Sequence, residues 1–178
     1  MTMFRTMTVL ALSVAVTACD NPPTATKPTL HEVMVGSIDP VADIIWTESN
    51  KAYDDSGKAA PGVLVAAEWN RIAKAGRDLH DGALAIASDP DIRAAGPNVK
   101  ILDEGKVPEA VTAAQVAVHL DRDRPGLTRH ARELSTIALA IESAAKARDI
   151  VKTIALAEEL DEVCESCHKR FWYPEGQK

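Results

Sequence analysis

Apolar residues recur at steps of three and four along the chain from residue 29 onward, and this spacing predicts amphipathic helices. The first helix is predicted over about 29–49. Its apolar face consists of Leu30, Val33, Met34, Val41, Ile44 and Ile45. Pro40 lacks an amide donor and its ring presses on the carbonyl of Gly36, so a kink is expected. The apolar face resumes after the proline, which predicts one bent helix rather than two.

Three further long helices follow from the same periodicity. The second is predicted over about 62–87, with a seam of Val65, Trp69, Ile72, Gly76, Leu79, Ala83 and Ile86. The third, about 124–147, should face inward with Leu127, Leu134, Ile137, Ile141 and Ala144. The fourth, about 149–171, should do so with Ile150, Ile154, Ala157, Leu160 and Val163. Four long amphipathic helices without a strand pattern predict an all-α, antiparallel four-helix bundle.

The connecting segments carry recognisable helix signals. Residues 88–110 lose the periodicity and collect glycine and proline, which predicts the longest irregular segment of the domain. The sequence at 112–115 resembles a capping box that opens a short helix reaching about Leu120. Asp123 is expected to cap the third long helix, whose first turn tolerates Pro125.

The amino-terminal segment has the features of an export signal. Residues 1–18 contain Arg5 followed by a short apolar run, and small residues precede Cys19. The Val16–Cys19 segment resembles the bacterial lipobox, although leucine is usual where Val16 stands. Cleavage by an ordinary signal peptidase is the alternative, but it would leave Cys19 as an odd thiol outside the cytoplasm. Lipidation of Cys19 is therefore favoured, with 19–28 as a proline-containing linker and 29–178 as the domain.

Composition narrows the range of functions. The formal net charge is −6, and this acidic balance argues against nucleic-acid binding, which needs clustered positive charge. Aromatic residues make up only 4% of the chain, so few large side chains are available to fill a core.

The motif with the most specific chemistry lies near the end of the fourth helix. Cys164, Cys167 and His168 form the C-x-x-C-H signature of c-type haem attachment. On a helix these positions share one face, so one turn presents two thiols for thioether formation and an imidazole for the iron. A zinc site or a dithiol redox site is the alternative. Zinc would need a fourth ligand at suitable spacing, and the dithiol motif usually accompanies a βαβ pattern, which this chain lacks.

Together, the four helices and the carboxyl-terminal position of the motif resemble the cytochrome c-prime family, the class II c-type cytochromes. The likeness extends over about residues 29–174. It implies one covalent haem c, with the sixth coordination position faced by the first helix. Some members leave that position open and have five-coordinate iron, whereas low-spin relatives fill it with a methionine sulfur.

Met34 is the methionine that the resemblance places at the sixth position, and packing alone is its alternative role. His31, three residues earlier, is the competing ligand. His80, His119 and His130 are expected to lie outside the haem-facing positions, at the surface or an edge.

The expected function is that of a periplasmic electron carrier rather than an enzyme. The expected partners are redox proteins of the cell envelope, the membrane through Cys19, and by family analogy a second copy of the chain. The alternative is a gas-binding protein with an open iron site.

Overall fold

The computed structural model describes residues 27–54, 56–60, 62–102, 104–106 and 111–172. All regular elements in these ranges are helices, and their only β-type pairing is an isolated bridge between Tyr53 and Ala59. The all-α prediction is thus confirmed for the described chain. The export signal, Cys19 and the first part of the linker lie outside the described residues.

Five helices account for the described secondary structure. They are α1 over 30–50, α2 at Ala66–Ala87, α3 at Ala113–Arg122, α4 at Arg124–Ala147 and α5 at Ile150–Phe171. The short helix and the two that follow it begin and end within about two residues of the predicted bounds. Asp123 caps α4 as expected, since its carboxylate accepts a 2.9 Å hydrogen bond from the Gly126 amide.

Helix α1 continues through Pro40, but by a route that the periodicity did not predict. An α-helical turn at Leu30–Val33 leads into a π turn at Met34–Ile38, and regular helix resumes at Asp39–Asn50. The wide turn precedes the proline, where the ring would otherwise crowd the Gly36 carbonyl. It also holds one extra residue.

That extra residue changes which side chains of α1 are buried. Ile38 and Ala42 enter the core, whereas Ile44, predicted to face inward, is exposed and Val41 is only partly buried. The predicted apolar face assumed a constant period of 3.6 residues. The π turn adds one residue, so the buried face of α1 after it falls on different residues from those predicted.

Helix α2 begins four residues later than predicted. Val65 was assigned to its seam but precedes the first turn and is 60% exposed, with its amide donating to the Glu68 carboxylate. The remaining predicted seam residues of α2 are buried. So are the predicted inward residues of α4, and those of α5 except Val163, which is half-buried.

The long helices pack around one core. Helix α2 packs most extensively on α4, α4 on α5, and α1 on both α2 and α5. The approach of α2 to α4 is so close that a Cβ atom at Gly76 would lie 2.8 Å from the Ala138 carbonyl oxygen. Small side chains thus bring the two helices together.

The irregular segment after α2 closes one end of this core. Ile92, Ala94 and Ile101 are buried, and the carbonyls of Arg93 and Ala94 accept hydrogen bonds from the first amides of α1. The segment therefore holds the first turn of α1 in place. In the described ranges, no helix is long and apolar enough to cross a membrane.

Candidate functional site

Cys164, Cys167 and His168 lie on one face of α5 and line one cavity of about 60 Å³, here called the inner cavity. All three side chains are half-buried, and neither cysteine is in a disulfide. The rest of the wall comes from α1, α2, α4 and the end of α5, and consists mostly of apolar side chains: Leu30, Met34, Ile38, Ile86, Leu127, His130, Ala131, Leu134, Val163, Phe171 and Trp172.

A second cavity of about 70 Å³, the outer cavity, adjoins the first. Met34, His168 and Trp172 line both cavities and therefore separate them. His31 lines the outer cavity only, together with Asp39. The structure thus brings both predicted sixth-ligand residues to the same region as His168, with Met34 the one that also lines the inner cavity.

Burial sets the state of the two thiols. Removal from water raises the pKa of Cys164 to about 11, an effect strengthened by the charges of Asp161 and Asp39. Burial likewise raises the pKa of Cys167 to about 12. Both groups are therefore neutral thiols near pH 7 and behave as part of the apolar wall.

His168 is also held in its neutral form. Burial lowers the pKa of this imidazole, and the nearby charge of Asp39 opposes that effect only in part. A neutral imidazole retains the lone pair that a metal ion requires. The pKa of Asp39 itself is raised, chiefly by its own burial.

His130, on α4, is a cavity residue that the sequence interpretation did not identify. It lines the inner cavity, its ring meets Phe171 edge-on at 6.1 Å, and its Nδ1 atom is buried without a hydrogen-bond partner among the described residues. The Glu133 carboxylate oxygen is 3.5 Å from that nitrogen. The prediction that His130 lies outside the site was wrong. Its position between Leu127 and Leu134 on the inward stripe was the available signal.

The other two histidines lie away from both cavities. His119 was expected at the surface or an edge, but it is buried, and its ring nitrogen lies 2.9 Å from the Phe171 carbonyl oxygen. It thereby anchors α3 to the end of α5. His80 is half-buried and bonded to Ser135.

Two basic side chains next to the motif form ion pairs. Arg170 pairs with Asp123, and Lys169 pairs with Glu165. Among the residues the structure describes, no group of three or more His, Cys, Asp or Glu side chains is arranged to hold a metal ion.

Comparison of the chain with protein-family models, with curated proteins and with solved structures found no match.

Proposed function

We propose that this protein is an exported c-type cytochrome of the four-helix-bundle class that binds one haem c and carries single electrons. One observation carries the proposal. Two thiols and a neutral imidazole from one face of α5 line an apolar cavity, and Met34 of α1 lines the same cavity. The contacts among α1, α2, α4 and α5 support a bundle with the site in its core.

The chain's residues fit such a cofactor in their chemistry. Cys164 and Cys167 would hold the porphyrin by adding each S–H across a vinyl group, which forms a carbon–sulfur bond and passes the hydrogen to the neighbouring carbon. His168 would bind the iron through its imidazole, and Met34 through its sulfur. The bound haem supplies an iron that takes up and releases one electron.

The side chains that line the two cavities would have to move to make room for a macrocycle. Each cavity, at about 60 and 70 Å³, is smaller than the several hundred Å³ typical of cofactor pockets. Trp172 lines both cavities and caps the end of α5, where its amide donates a 2.7 Å hydrogen bond to the His168 carbonyl oxygen. Movement of this half-buried side chain would connect the two cavities, and the surrounding helices would also have to move apart to admit a macrocycle.

A gas-binding protein is the second candidate. It is favoured by the α1 contribution to the inner cavity, in which Leu30, Met34 and Ile38 are all without a strong hydrogen-bond donor. In this alternative Met34 only packs against the cofactor and the iron stays five-coordinate.

The export signal and the cysteine at position 19 complete the proposal. Haem c is attached outside the cytoplasm in bacteria, so an exported chain meets that requirement. Lipid on Cys19 would confine the protein to the membrane surface of the periplasm, near redox partners of the cell envelope. A homodimer rests on family analogy alone.

Covalent haem binding is tested by producing the full chain in a cytochrome-maturing host. Protein denatured and extracted with acidic acetone should keep its colour and gain the mass of one haem. The double variant Cys164→Ala/Cys167→Ala should lose the colour to the solvent, whereas Ser166→Ala, between the two cysteines, should retain it. Colourless wild-type protein would reject both candidate functions.

Optical and electron paramagnetic resonance spectra separate the two functions. Electron carriage predicts low-spin iron that becomes high-spin in Met34→Ala and is unchanged in His31→Ala. A change in His31→Ala instead would assign the sixth position to that histidine. High-spin wild-type iron that takes up carbon monoxide without displacing a ligand would favour gas binding.

A further inference from the structure

The last turn of α5 is held from outside by a buried histidine of α3. His119 is 6% exposed, and its Nδ1 atom lies 2.9 Å from the carbonyl oxygen of Phe171. A carbonyl oxygen can only accept a hydrogen bond, so Nδ1 carries the hydrogen and donates it. The last four carbonyls of a helix have no partner within the helix, and the Phe171 carbonyl is one of them. His119 therefore supplies a hydrogen bond that α5 cannot make for itself.

The same peptide group makes a second hydrogen bond, and this one reaches His168. The Phe171 carbonyl and the Trp172 amide belong to one planar peptide group, and that amide donates to the His168 carbonyl oxygen at 2.7 Å. A peptide group whose oxygen accepts a hydrogen bond becomes a stronger donor through its N–H, because linked hydrogen bonds polarise one another. A continuous chain of hydrogen bonds thus runs from α3 to the backbone of His168.

The side chains on either side of this peptide group form part of the candidate site. Phe171 is 3% exposed and lines the inner cavity, whereas Trp172 lines both cavities. The centroid of the Trp172 ring lies 6.5 Å from that of the His168 imidazole, and the two ring planes are tilted by 48°. The position of the peptide group therefore decides what the imidazole packs against.

Helix α3 provides a firm support for this chain of hydrogen bonds. Val116 and Leu120, three residues before and one residue after His119, are fully buried, and a capping box closes the first turn of the helix. A second link joins Arg170 of α5 to Asp123, which directly follows α3. The Arg170 side chain is exposed to solvent, so this ion pair contributes less than the buried hydrogen bond.

We propose that His119 is a positioning residue for His168, because it holds the end of α5 through the Phe171–Trp172 peptide group and so keeps the imidazole in one orientation. The use of that imidazole as an iron ligand rests on the proposed function, but its orientation does not. An apolar side chain at position 119 leaves the Phe171 carbonyl without its partner, and the last turn of α5 then frays as unsupported helix ends do. Trp172 moves away from His168, and the imidazole takes several orientations.

Hydrogen exchange and NMR spectra of the full-length, cofactor-free Cys164→Ala/Cys167→Ala protein test the proposal without reference to haem. His119→Leu should raise the exchange rate of the Trp172 amide about tenfold, as expected for loss of one hydrogen bond, and should weaken the nuclear Overhauser contact between the rings of Trp172 and His168. The amide of Leu160, in the middle of α5, should keep its wild-type exchange rate. His119→Asn, whose side-chain amide replaces the Nδ1–H donor, should restore both signals.

A spectrum of the haem-loaded protein extends the test to the iron. In the reduced Met34→Ala background, His119→Leu should broaden the iron–imidazole stretching band in resonance Raman spectra and move it to lower frequency, whereas His119→Asn should not. Colourless protein that still shows the exchange effect at Trp172 would reject the proposed function and support the positioning of His168.

His80→Leu is the matched control, because it removes a half-buried histidine that is also hydrogen-bonded but lies away from both cavities. It should leave the Trp172 exchange rate and the ring contact unchanged. Faster exchange at both Trp172 and Leu160 in His119→Leu would mean that His119 supports only the general packing of the core, and would overturn the proposal. An unchanged exchange rate at Trp172, or faster exchange with an unchanged ring contact, would overturn it as well.

Discussion

At the scale of single residues, His130 is a buried polar group in the wall of the inner cavity. Its buried Nδ1 atom has no hydrogen-bond partner among the described residues, and the Glu133 carboxylate oxygen at 3.5 Å offsets only part of a deficit of about 1–3 kcal/mol. The edge-on contact with Phe171 recovers less, about 0.5–1.5 kcal/mol. The cofactor-free protein therefore carries a net cost at this position. If the inner cavity holds haem as proposed, a polar group of that cofactor, such as a carboxylate, would remove this cost.

We predict that His130→Leu changes stability in opposite directions in the two forms. In the cofactor-free Cys164→Ala/Cys167→Ala background it should raise the free energy of unfolding by about 1 kcal/mol. In the haem-loaded protein the same substitution should lower the free energy of unfolding. Urea unfolding of the four proteins measures both effects. The same sign in both forms would show that His130 does not contact the cofactor.

The two motif cysteines make a second prediction at this scale. Burial raises the pKa of Cys167 to about 12, so almost none of it is thiolate at pH 8. In cofactor-free protein carrying Cys19→Ser, iodoacetamide should modify Cys167 at least about a hundredfold more slowly than in urea-unfolded chain. Mass spectrometry of the modified peptide gives the rates. Equal rates would mean that the folded thiol is not buried.

The same pKa shift fixes how alkali affects the cofactor-free fold. Because the folded pKa values of both cysteines are raised above their ordinary value, the unfolded chain releases these protons first as the pH rises. The stabilising contribution is complete below about pH 9 and is lost as the pH rises toward 11–12. If these thiols form thioethers as proposed, the reaction should be faster before α5 packs into the core, because more of each cysteine is then thiolate.

At the scale of helices, the contact between α2 and α4 depends on one missing side chain. A Cβ atom at Gly76 would lie 2.8 Å from both the Ala138 carbonyl oxygen and the Glu142 amide nitrogen. These are backbone atoms of a helix, so they cannot move aside singly. Gly76→Ala should lower the free energy of unfolding by about 1–3 kcal/mol because the helices must separate.

Gly36→Ala is the control for this prediction. Gly36 is exposed in α1, and a Cβ atom there meets nothing within 4 Å. Alanine should be neutral at this position or stabilise by up to about 1 kcal/mol. Thermal unfolding of both variants tests the pair. Equal losses would mean that the glycines matter for backbone conformation rather than for helix approach.

Helix positions were predictable where local periodicity and capping determine them, and less so where the period changes. The bounds of α4 and its Asp123 cap follow from the sequence because both are local features. The buried face of α1 after Pro40 does not, since the π turn inserts one residue and the sequence offers only a proline as warning. Ile38 and Ala42 were missed for this reason.

At the scale of the whole molecule, the residues that α5 contributes to the site were predictable from the sequence, whereas those of the opposing helices were less so. Cys164, Cys167 and His168 share a face because of their spacing, which any regular helix would produce. The contribution of His130 depends on how α4 is rotated against α5, which is a property of tertiary packing.

Two buried carboxylates couple α2 to the helices on either side of it. Glu48 of α1 pairs with Arg71 of α2 at 2.8 Å, and Glu142 of α4 pairs with Arg77 of α2 at 2.6 Å. Each carboxylate is 8% exposed. Hydrogen bonds lower both pKa values below the ordinary value of 4.5, that from Arg71 being the largest effect on Glu48 and that from Lys146 on Glu142.

Acid should therefore weaken the attachment of α2. Since the folded pKa values are lowered, the unfolded chain takes up protons first, and stability present at pH 7 is lost as the pH falls below about 5. Glu48→Gln and Glu142→Gln should each reduce the free energy of unfolding at pH 7 by about 1–3 kcal/mol. Between pH 6 and pH 4, both variants should lose less free energy of unfolding than the wild-type protein does.

Glu159→Gln, at an exposed position, is the control and should keep the wild-type dependence of stability on pH. Urea titrations across this range measure the slopes, and unchanged slopes in the Glu48 and Glu142 variants would place the acid sensitivity in other carboxylates.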